Sequence, residues 1–104
     1  MSQNAASGGL AQFAPSVALA GNAIDWSQGN IFTKTTASSI TITFANNTDG
    51  RTIILQLTNS TGSNLPIIWP GSVIGAYTSL TASKTAIITL IQIGNNTYST
   101  SLEF

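Results

Sequence analysis

The chain has 104 residues, of which only six are charged, three basic and three acidic, and it contains neither histidine nor cysteine. Charged residues make up 6% of the sequence, against about 25% in ordinary globular domains. These counts exclude zinc sites, catalysis by cysteine or histidine, and disulfide frameworks, and the zero net charge leaves no long-range field to steer nucleic acid.

The length suits one domain, and an apolar share of 42% suffices for one core. The remainder is rich in Thr, Ser and Asn, which favours pleated sheet carrying hydroxyls and amides on its wet face. Residues 1–22, Met1 to Asn22, are rich in Ala, Gly and Ser, with Leu10, Phe13, Val17 and Leu19 as the only sizeable apolar side chains. They read as an extended N-terminal arm whose apolar anchors are held by another chain or, alternatively, strap onto the chain's own domain as a short helix or extended segment. Ala18-Leu19-Ala20 imitates a signal-peptidase site, but the first basic residue is Lys34 and Pro15 interrupts the apolar stretch, so no cleaved signal is expected. No run of 18 apolar residues exists to span a membrane as a helix.

Residues 23–104 read as a β domain. Ile24 to Trp26 and Ile31 to Thr35 are short strands, and Ile40, Ile42 and Phe44 alternate with Thr41 and Thr43 as in a half-buried strand. Asn46-Asn47-Thr48-Asp49-Gly50 is a turn, with Thr52 to Thr58 as the expected returning strand of a hairpin. Ile67-Ile68-Trp69 and Val73-Ile74 follow as short strands on either side of Pro70-Gly71. In Ala86 to Ile93, Ile87, Ile91 and Ile93 fall on one face while Ile88 and Leu90 fall on the other, so both faces call for burial. The cover could be the arm, a second layer or a neighbouring subunit, and the last makes these five residues the expected subunit interface. Gly94-Asn95-Asn96 turns the chain into a last strand carrying Tyr98 and Leu102. The expected architecture is all-β, an antiparallel β-sandwich or jelly roll of about seven or eight strands with an extended N-terminal arm.

Few residues can carry chemistry. A hydroxyl without an adjacent base is inert, and the three carboxylates, Asp25, Asp49 and Glu103, are too scattered for paired acid–base work. Lys34, Arg51 and Lys84 make no basic stripe. Asn46, Asn47 and Asp49 lack the second carboxylate and the spacing of a calcium loop, and no Gly-rich phosphate cradle is present. Neither catalysis nor a cofactor is expected. Trp26, Trp69 and Tyr77 could offer flat platforms to sugar rings, and Trp69 and Tyr77 are the candidate glycan contacts.

Asp25-Trp26-Ser27-Gln28-Gly29-Asn30-Ile31-Phe32, Thr41-Ile42-Thr43-Phe44-Ala45-Asn46, Asp49-Gly50-Arg51-Thr52 and Ile68-Trp69-Pro70 together resemble a small β module of virion structural and tail-fibre proteins of tailed bacteriophages. The resemblance implies a projecting module on the virion surface, commonly trimeric, that acts by binding. The chain departs from it in having no shaft or repeat, and no proline in Gly75 to Leu80. The leading expectation is therefore a capsid decoration or cement protein. It would form a homotrimeric knob whose arm grips the major capsid protein or another virion protein, with no nucleic acid bound and no membrane insertion. The alternative is a short tail-fibre or tip protein that recognises a host surface glycan.

Overall fold

The computed structural model describes residues 15–104, and among these it contains eleven strands and no helix. In chain order they are β1 (Val17–Ala18), β2 (Ala23–Asp25), β3 (Ile31–Thr36), β4 (Ile40–Thr41), β5 (Thr43–Ala45), β6 (Thr52–Asn59), β7 (Leu65–Ile68), β8 (Val73–Ile74), β9 (Ser79–Leu80), β10 (Thr85–Ile93) and β11 (Asn96–Glu103). One six-stranded sheet runs β1-β3-β6-β10-β11-β8, faced by the short sheets β2-β5 and β4-β7-β9.

The first half of the chain winds as a solenoid. β1, β3 and β6 stack in parallel, as do β2 with β5 and β4 with β7, so successive passes lay like strands side by side. The antiparallel hairpin β10–β11 then closes the wide sheet against β6, and β9 closes the opposite wall against β7. The fold is all-β, as the composition requires, but its sheets are mixed and solenoid-like rather than those of an antiparallel seven- or eight-stranded sandwich or jelly roll.

The hairpin expected around Asp49-Gly50 is where the two pictures diverge. Asn46 and Gly50 do take positive φ angles of 58° and 89°. The chain nonetheless turns a corner there instead of folding back, because β6 pairs with β3 and β10 and not with β4 or β5. Alternation of apolar residues marks a strand's faces and says nothing about its neighbour. By contrast, Ile93 pairs directly with Asn96 across the expected Gly94 turn, with Gly94 at φ 60°.

The core lies between the wide sheet and the short-strand wall. Phe32, Ile53, Leu55, Leu57, Ala86, Ile88 and Leu90 project from the first, and Ile24, Trp26, Ile40, Ile42, Leu65, Ile67 and Leu80 come from the second. Burial of side chains this size stabilises by about 1.5–3 kcal/mol each before entropy is counted. Both ends of the core are tied by buried amides. Asn59 is 2% exposed and bonds the carbonyls of Ser63 and Leu80 at 2.8 and 3.0 Å. At the other end, the Gln92 carbonyl oxygen accepts from Thr97 Oγ1 at 2.5 Å and from Asn47 Nδ2 at 3.3 Å.

Of the arm anchors, expected as contacts to a capsid partner with packing on the chain's own domain as the alternative, Val17 and Leu19 rest partly buried against this chain's own core. Leu19 donates its backbone N–H to Thr33 at 2.9 Å, and a Cβ at Gly29 would stand 3.1 Å from a Val17 methyl. The rung β1 thus belongs to the wide sheet. The other two arm candidates, Leu10 and Phe13, lie outside the described residues.

Candidate interaction surface

Strand pleating sorts the wide sheet into two faces. The inner face carries the core. The outer face is set by register: Ile31 stands beside Ile54, Ile54 beside Thr89 and Thr89 beside Thr100. The next row is Thr33, Gln56, Ile87 and Leu102. On the other side lies the row Thr52, Ile91, Tyr98 and Ile74. Apart from Ile68, every exposed large apolar side chain among the described residues belongs to this face or its ends: Ile31, Ile74, Ile91, Ile93, Tyr98, Leu102 and Phe104.

The five β10 residues expected at a subunit interface divide along this line. Ile87, Ile91 and Ile93 do look outward, Ile93 with 58% of its surface exposed. Ile88 and Leu90, called for the same interface, are fully buried in the chain's own core and are unavailable to a partner. Sequence reasoning missed Ile31, Ile54, Ile74 and Leu102 as members of the face. They come from strands far apart in sequence, and only the ladder places them in one plane.

Between the Ile87–Leu102 row and the Ile91–Tyr98 row, the shorter Thr89 and Thr100 leave a shallow depression. Its lining is Ile87, Thr89, Thr100, Ser101 and Leu102, and its volume is about 290 Å³. No charged side chain stands on the outer face. Lys34 and Glu103 alternate to the inner side of their strands, opposite Leu57 and Ala86. Asp25 lies in the second layer, and Asp49, Arg51 and Lys84 lie in turns.

Several polar side chains hold the fold together. Asp25 accepts from Ser27 Oγ at 2.6 Å and from Asn46 Nδ2 at 2.8 Å, and these bonds, the first from Ser27, hold its carboxyl below the ordinary range. Asn46, Asn47 and Asp49 diverge toward Asp25, Gln92 and Gly94, so they do not converge on a cation. Among the described residues no group of three acidic side chains is positioned to hold a metal.

Trp69 and Tyr77, the candidate glycan contacts, are brought together on the opposite wall. Trp69 Nε1 donates to the Tyr77 carbonyl at 2.8 Å, and the Tyr77 hydroxyl donates to the Glu103 carboxylate, which also accepts from Thr81 Oγ1 at 2.6 Å. Trp69 stacks at a tilt on Phe44, which meets Trp26 edge to face. Both polar handles that a sugar would need are therefore engaged within the chain. Trp26, the third aromatic platform, is 2% exposed and belongs to the core.

The fold and surface define a solenoid-like β module, without a helix among the described residues, with one broad, uncharged, partly apolar sheet face. Comparison with protein-family models, with curated proteins and with solved structures found no match.

Proposed function

We propose that the chain is a virion structural protein of a tailed bacteriophage, a capsid decoration or cement protein. It stands on the shell as a trimeric knob and is anchored through its N-terminal arm. The observation that carries this reading is the uncharged outer sheet face, lined by Ile31, Ile87, Ile91, Tyr98 and Leu102. A freely diffusing domain keeps copies apart with charge, whereas an assembled subunit needs little. The sequence resemblance supplies the virion, and the engagement of Asp25, Asp49 and Glu103 in internal hydrogen bonds favours adhesion over chemistry.

The mechanism is adhesive. Apolar surface removed from water contributes roughly 25 cal/mol per Å², and three linked arms engage neighbouring capsomers together. The test uses particles purified from the source that encodes the chain, probed with antibody against it. Label on intact shells is the expected result; the chain found only as free protein would contradict the reading. Because Val17 and Leu19 belong to the folded unit, the informative truncation removes residues 1–14 only. The shortened chain is expected to fold and to lose attachment to stripped particles, and undiminished attachment would refute anchoring by the arm.

A further inference from the structure

We infer that the outer face of β3, β6, β10 and β11 is where three copies of this chain meet, the three sheets forming the sides of a triangular prism with their outer faces turned to the axis. The inference rests on the trimer proposed above and specifies how it is built.

Two observations carry it. The first is charge: all six charged residues lie off this face. In a symmetric assembly any charge at the axis meets its own copies, so a like-charge penalty is absent only from a face with none.

The second is geometry. Four long strands at about 4.8 Å spacing make a side roughly 19 Å wide, and an equilateral triangle of that side sets each sheet roughly 5.5 Å from the axis. Stacked sheets pack about 10 Å apart, so half that spacing is the depth that Ile, Leu and Tyr side chains fill. The apolar side chains also flank the face on both sides: Ile31 and Ile54 come from β3 and β6, and Leu102 and Tyr98 from β11. A three-fold axis sets one flank of each copy against the other flank of the next.

The test compares the native chain with Leu102→Lys and Ile68→Lys by sedimentation velocity, with circular dichroism as the check on folding. Leu102 and Ile68 are 67% and 56% exposed, so neither substitution disturbs the core. The inference predicts three chains for the native protein and for Ile68→Lys, and at least a hundredfold weaker association for Leu102→Lys. A native trimer that persists unweakened in Leu102→Lys overturns the prism while leaving the trimeric reading intact. A native dimer or monomer overturns both, and arm-mediated attachment to particles is then judged separately by the truncation.

Discussion

Asn59 and Leu80, separated by 21 residues, are joined by a hydrogen bond of 3.0 Å from the buried amide of the first to the backbone carbonyl of the second. The same amide reaches Ser63, and its oxygen accepts from both the backbone N–H and the hydroxyl of Thr61. One side chain thereby fixes the end of β6, the loop after it and the strand β9. Asn59→Ala leaves these groups without partners and is expected to cost about 2–4 kcal/mol. Urea denaturation would show this as a lower midpoint with an unchanged slope.

Ser99 presents the reverse case. Its hydroxyl is buried with no hydrogen-bond partner among the described residues. A buried polar atom left unpaired costs free energy, so Ser99→Ala is expected to be neutral or to stabilise by up to about 1 kcal/mol. The same denaturation measurement checks it, and a loss of stability would point to a partner for Ser99.

The Glu103 carboxyl is held below its ordinary range by the Thr81 hydroxyl first and the Tyr77 hydroxyl second. A carboxyl with a lower pKa folded than unfolded contributes its stability above the unfolded value and loses it as pH falls through the folded value. Amide protection in β11 and in the segment from Tyr77 to Thr81 should therefore weaken below about pH 4. The Tyr77 phenol is raised, first by burial and then by its bond to Glu103, so its contribution is present below the unfolded phenol value and is lost as pH rises beyond it. Glu103→Gln should flatten the acid limb; hydrogen exchange measured across pH reads both limbs.

Trp69→Phe keeps the ring contact with Phe44 but removes the N–H that satisfies the Tyr77 carbonyl. The expected cost is about 1 kcal/mol, with loosening of the chain between Trp69 and Tyr77. Glycan titrations of the native chain should be flat. A saturable carbohydrate response abolished in Trp69→Ala would contradict the structural role assigned to this pair.

How much of this was legible in the sequence depended on the range of the information. Period-two alternation correctly separated Ile87, Ile91 and Ile93 from Ile88 and Leu90, because a strand's faces are written in its own residues. It could not reveal that Ile88 and Leu90 are consumed by the chain's own core, which requires knowing that the short-strand wall covers them. The Gly94 turn was readable because it joins strands adjacent in the chain. Parallel stacking of β1, β3 and β6 was not, since its partners are separated by connections whose residues carry no pairing signal. Two-residue strands such as β4 and β9 are shorter than any alternation can mark. The uncharged character of the outer face followed directly from composition, whereas its membership emerged only from register.

The most direct test of that face is a distance. The chain has no cysteine, so Thr100→Cys introduces a single labelling site on β11, in the central row of the outer face beside Thr89. With a spin label there, the account predicts strong dipolar coupling among labels clustered about one axis, abolished when Leu102→Lys is added. Labels that report only isolated spins, in a protein that sediments as an assembly, would place the outer face away from the other copies and contradict it.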